Sequence, residues 1–191
     1  MSEAKPVIVF QFDKQNYEPS SIIELKARLD DIVNVQVQEI IRREILPPAL
    51  FVVLILVPLY YFNKGFFTKL GEKIGEKLGE AIGEDVVKAY EFFKKKTIEV
   101  IQKTKSSQIP MVEFRFTVNH TEVSGFVESS EERILSRAFD TVEELFRISL
   151  KYIEEKNLDL KTFVFNLNVE KMIWKPTYCI TTKNELYRFG S

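Results

Sequence analysis

Thiol and imidazole chemistry are almost absent from this chain of 191 residues, which holds one cysteine, Cys179, and one histidine, His120. A lone cysteine cannot close an internal disulfide, and one cysteine with one histidine cannot assemble a thiolate–imidazole zinc set. No metal or cofactor is expected, and most histidine-based catalysis is removed. An excess of one charge sign is also missing: 27 Lys and Arg stand against 28 Asp and Glu. No global field therefore recruits nucleic acid, and a nucleic-acid partner is not expected. The start, MSEAKPVIVF, has no basic region followed by a long apolar stretch and a small-residue cleavage site. A secretory leader is not expected from it.

What is present is core-forming material. Hydrophobic residues make up 45% and charged residues 29%, which excludes wholesale disorder, and phenylalanine is frequent at 16. The length allows one domain or two small ones, at roughly 100–200 residues each.

Three stretches differ in pattern. Over residues 1–44, Ile8, Phe10 and Phe12 share one face of a short strand, with Val7 and Val9 on the other, so both faces should be covered. Pro19 suits the first turn of a helix carrying Ile22, Leu25, Leu29 and Ile32. Val33, Val35 and Val37 then return to a period of two. A strand–helix–strand unit of this size is too small to stand without a partner layer.

Residues 45–105 are different. Ile45 to Asn63 carries no charge. A helix needs about twenty apolar residues to cross a bilayer, and this run is close to that. Arg42, Arg43 and Lys64 flank it, and Tyr60 and Tyr61 sit where aromatic belts form. Leu50, Phe51, Leu54, Leu56, Tyr60 and Tyr61 are the expected membrane contacts. The alternative is a buried core element, and Pro47, Pro48 and Pro58 favour it by shortening any uninterrupted helix. The balanced flanks predict no orientation. A repeat follows in which Gly71, Gly75, Gly79 and Gly83 each come after a large aliphatic residue. Each glycine costs an isolated helix about 1 kcal/mol relative to alanine. A neighbouring helix approaching along the glycine row would compensate, which points to self-association. The helical pattern then runs through Val86, Tyr90 and Phe93 to Lys94, Lys95, Lys96, Lys103 and Lys105, read as a solvated helix end.

Residues 109–191 follow a Ser/Gln/Pro break. Val112, Phe114, Phe116 and Val118 alternate with Glu113, Arg115, Thr117 and Asn119, the pattern of a strand wet on one side. A turn near Asn119-His120 leads to a second strand, in which Gly125 could mark a bulge. Ser129 and Glu132 have capping-box spacing. Leu135, Ala138, Phe139, Val142, Leu145, Phe146, Ser149 and Ile153 form one helical face that Asn157 should end. Phe163, Phe165, Leu167 and Val169 alternate in a third strand, and residues 178–182 and 186–189 form a closing hairpin.

Candidate reactive residues reduce to structural ones. His120 lies in a turn without a nucleophile to activate. Asn119-His120-Thr121 matches a glycosylation acceptor only by accident of spacing. Cys179 reads as a small buried hydrophobe, and Glu128, Glu131 and Glu132 as a helix N-terminus. Trp174 and Tyr178 could line a pocket or simply pack together. No phosphate-binding glycine loop is present.

The fold class expected is α+β. It comprises an N-terminal strand–helix–strand unit, a central apolar and glycine-rich helical segment, and a C-terminal antiparallel ββαβ sheet with a hairpin and one packed helix. The function expected is a non-enzymatic, self-associating, intracellular protein. Its α+β domain would be a sensing or assembly module coupled to an element that contacts a lipid bilayer. The alternative is a soluble oligomeric binding module whose apolar segment is core, with a ligand the sequence does not specify.

Overall fold

The computed structural model describes residues 7–13, 15–29, 34–39, 50–56, 85–105, 107–156 and 159–189. Within them the chain is α+β. The elements run β1 (Val7–Phe12), α1 (Pro19–Leu29), β2 (Asn34–Glu39), β3 (Leu50–Leu56), α2 (Asp85–Gln102), β4 (Met111–Val118) and β5 (Thr121–Glu128). They continue with α3 (Glu132–Asp140), α4 (Val142–Lys156), β6 (Leu160–Asn168), β7 (Ile173–Thr181) and β8 (Leu186–Arg188). All the described strands join one eight-stranded sheet in the order β2-β1-β3-β4-β5-β6-β7-β8. β3 pairs with β4 in parallel, so the sheet runs unbroken from the N-terminal strands to the C-terminal ones.

Part of the apolar run is a strand, not a helix. Residues 50–56 read LFVVLIL, and β1 and β4 flank them on both sides. β-branched side chains fit a pleated surface better than a helix, and a strand between two others pairs its backbone N–H and C=O groups along both edges. Among the described residues, no helix is long and apolar enough to cross a membrane.

The C-terminal strands β4–β8 are mostly antiparallel, as expected, with one parallel pair, β5 with β6. α3 and α4 cross between β5 and β6, and such a crossover returns the chain parallel to its start. The β4–β5 hairpin closes where expected. Asn119 and His120 have φ of 46° and 69°, as a tight type I′ turn requires at both central positions.

Helices cover one face. Phe10 and Phe51 pack at 5.7 Å between ring centroids, and Tyr17, just before α1, meets Phe51 at 5.4 Å. From α3, Phe139 stands edge-on to Phe114 of β4 at 4.9 Å and to Phe93 of α2 at 6.2 Å. Phe116 meets Phe146 of α4 at 5.7 Å. Gly125 lies in unbroken register with Phe114 and Phe165, so it marks no bulge. It admits Leu145 and Trp174 against the sheet instead, which any Cβ there would obstruct.

The expected single helix is two. Trp174 is buried, and its indole N–H donates to both the carbonyl and the hydroxyl oxygen of Thr141 at 3.0 Å. A buried indole needs an acceptor, and the helix breaks at the residue that provides it. The capping box does not form either. The helix begins at Glu132 with Glu131 as its N-cap, and Ser129 Oγ accepts the Glu131 N–H at 3.0 Å. Ser129 is instead tied to Pro110, whose carbonyl accepts its N–H. Val169 lies past the end of β6 and is exposed. Asn157 lies outside the described residues, as do Ile32 and Val33.

Candidate functional site

The face away from the helices holds a concavity of about 460 Å³ over β4, β5, β6 and β7. Register sets its rows. Arg115, Ser124, Val164 and Tyr178 stand side by side across the four strands. On one side lies the row Glu113, Phe126 and Asn166, and on the other Glu122 and Thr162.

Its floor is an ion pair. The Glu113 side chain is only 3% exposed. Arg115 holds it in a fork, with Nε 2.7 Å from Oε1 and Nη2 2.8 Å from Oε2. Ser124, on the neighbouring strand, donates its hydroxyl to the same Oε1 at 2.7 Å. A buried carboxylate persists only when paired and hydrogen-bonded, and three donors satisfy this one. Burial opposes the charge on Arg115, but the bonds to Glu113 and the fields of Glu113 and Glu122 outweigh it and raise its pKa. The guanidinium is thus permanently charged and fixed in direction, with Nη1 on the edge turned away from Glu113.

Apolar walls come from Met111, Phe126 and Val164. Thr177 and Tyr178 both line the concavity because β7 bulges there. Val164 pairs with Tyr178 and Phe165 with Pro176, so Thr177 is an extra residue. Proline has no N–H for the ladder and is tolerated where pairing is interrupted, and bulges re-aim side chains near functional sites.

β4 is wet on one side as expected, with Arg115 half-buried and Thr117 exposed, but Glu113 on that same face is buried. The spacing of Glu113 and Arg115, two residues apart on one strand face, was a signal for pairing, but nothing local announced the burial. Trp174 and Tyr178 go to opposite faces. Trp174 packs against Phe114 at 6.2 Å in the core, and Tyr178 lines the concavity.

The other singled-out residues are elsewhere. Leu50, Phe51, Leu54 and Leu56 lie on β3, where Phe51 is fully buried in the helix-covered core. Tyr60, Tyr61, Gly71, Gly75, Gly79 and Gly83 lie outside the described residues. Lys94 departs from the solvated helix end. It is buried and bonds to Glu91 at 2.6 Å and to Asp140 at the end of α3 at 2.9 Å. Lys96 and Lys105 pair with Glu99 and Glu18 nearer the surface. His120 is an exposed turn residue. Cys179 is buried, and burial pushes its thiol pKa up, away from the reactive thiolate. Glu131 and Glu132 do stand at a helix N-terminus.

Searches against protein-family models, curated proteins and solved structures find no match to this chain.

Proposed function

We propose that this chain is a non-enzymatic binding module whose recognition site is the concave sheet face over β4–β7. The observation that carries this reading is the buried Glu113, held by Arg115 and Ser124 under an open concavity. A structural ion pair of that kind contributes little net stability compared with apolar residues of similar size. A guanidinium held in one orientation is, by contrast, what a recognition site needs. The volume falls within the range of small-ligand sites, about 300–1,000 Å³, and the lining combines apolar walls with a few convergent polar groups. Amide-resonance perturbation by a library of small organic fragments tests the reading. Binders should cluster on Arg115, Ser124, Phe126, Val164 and Tyr178. Fragments that scatter over the surface, or gather only on the helix side, overturn it.

Self-association remains part of the proposal and rests on the repeat of Gly71, Gly75, Gly79 and Gly83. Gly75→Leu with Gly79→Leu should lower the mass in solution if the row is a contact between copies. An unchanged mass removes that half. Bilayer contact rests on the uncharged run from Ile45 to Asn63 apart from residues 50–56, which are β3 within the sheet. Protein that fractionates without detergent and does not bind vesicles removes it.

A further inference from the structure

The charges of the concavity are separated in a way that specifies a ligand. Arg115 turns its Nε/Nη2 edge to Glu113. No hydrogen bond from Nη1 occurs among the described residues. Glu122 sits diagonally across the strand pair, since Arg115 pairs with Ser124 and Thr117 with Glu122. Diagonal neighbours stand about 7–8 Å apart at Cα, close enough for the field of Glu122 to act on Arg115. Glu122 makes no ion pair among the described residues. The site therefore presents one unspent guanidinium edge and one unspent carboxylate, with an apolar wall of Phe126 and Val164 beside them.

An anion alone would meet Glu122, and a cation alone would meet Arg115. A molecule with both charges a few ångströms apart satisfies each. Resting on the binding-module reading, we propose that the concavity binds a small amino-carboxylate zwitterion with an apolar side group. Its carboxylate would lie on Arg115 Nη1, its ammonium beside Glu122, and its side group against Phe126 and Val164. The hydroxyl and amide groups of Thr162, Asn166 and Tyr178 make no side-chain hydrogen bond among the described residues and remain to complete the polar contacts.

The test compares three molecules of one shape on the full chain by calorimetry and amide-resonance perturbation: phenylalanine, phenethylamine and 3-phenylpropionate. Phenylalanine should bind at the concavity. Each singly charged analogue should bind about 10- to 100-fold more weakly, the factor for losing one charge-assisted hydrogen bond. Glu122→Gln changes an exposed side chain and should erase the advantage of phenylalanine over 3-phenylpropionate. Arg115→Lys keeps a cation beside Glu113 but loses the fork, and should erase the advantage over phenethylamine. A singly charged analogue that binds at the concavity as tightly as phenylalanine overturns the zwitterion assignment and leaves the site standing. Absence of saturable binding by all three, with other fragments still clustering there, also overturns it. If no molecule of any kind clusters there, the binding-module reading itself falls.

Discussion

Gly125→Ala should destabilise the protein, although alanine is the better strand residue. Two effects oppose each other. Alanine in place of glycine within a strand gains about 0.5–1 kcal/mol, because the unfolded chain has less freedom to lose. Against this, the added Cβ would collide with Leu145 Cδ2 and lie 3.0 Å from Trp174 Cζ3. Trp174 is pinned by its two hydrogen bonds to Thr141, so Leu145 has to yield inside a closed core where it is fully buried. Forcing one more carbon into such a core costs about 1–3 kcal/mol. The net loss is about 1–2 kcal/mol, or a fall in Tm of a few degrees for a chain of this length. Urea unfolding, followed by far-UV circular dichroism and by the fluorescence of the single tryptophan, measures it. Leu145→Ala by itself should cost about 2–5 kcal/mol. In that background Gly125→Ala should be neutral or stabilising, because the obstructing methyl is gone. The double-mutant cycle should therefore give a favourable coupling of about 1–3 kcal/mol, the cost of the clash that Leu145→Ala removes. A wild-type background stabilised by Gly125→Ala, or strict additivity with Leu145→Ala, would refute the close-approach argument.

Removing the fork with Arg115→Met leaves Glu113 buried and unpaired, and should cost about 3 kcal/mol in denaturant unfolding, whereas Glu113→Leu with Arg115→Met should recover most of it. A double variant as unstable as Arg115→Met would show that the carboxylate was never buried at a cost. Trp174→Phe deletes the donor to Thr141 and should cost about 2 kcal/mol, while an unchanged midpoint would mean that the two indole bonds contribute nothing net. Stability should also fall at alkaline pH. Burial raises the Tyr17 phenol above its ordinary 10.0, with a bond to Thr104 only partly opposing it. Burial pushes the Lys94 ammonium down, yet its bonds to Glu91 and Asp140 outweigh that and hold it above 10.5. Both groups keep their proton longer in the folded chain than in the unfolded one. Their stabilisation is complete below about pH 10 and is lost as pH rises through the folded values. The urea midpoint should hold between about pH 7 and 9 and drop above about pH 10. A midpoint level to about pH 11 would contradict both assignments, and Tyr17→Phe should remove the phenol's share alone.

Local pattern by itself determined much of the architecture. Alternation along Val112–Val118 and Phe163–Leu167, the face Leu135–Ile153 and the Asn119-His120 turn all depend on spacing within a few residues, where side-chain direction has a fixed period. Pro19 opens α1 for the same local reason. The apolar run was ambiguous because an uninterrupted hydrophobic sequence has no period to read. Its strand character over 50–56 depends on β1 and on β4, which lies more than fifty residues further along the chain. The break at Thr141 was equally hidden, as was the role of this residue as an acceptor, since the indole that bonds to it arrives from β7. The candidate site was the least legible. Glu113, Arg115, Thr117 and Asn119 look equally polar along one strand, yet Glu113 is buried and Arg115 is clamped to it. Charge in a sequence states what a residue carries. What it costs or recognises is decided by the strands beside it, because desolvation and hydrogen-bond geometry are properties of three-dimensional neighbours and not of chain order.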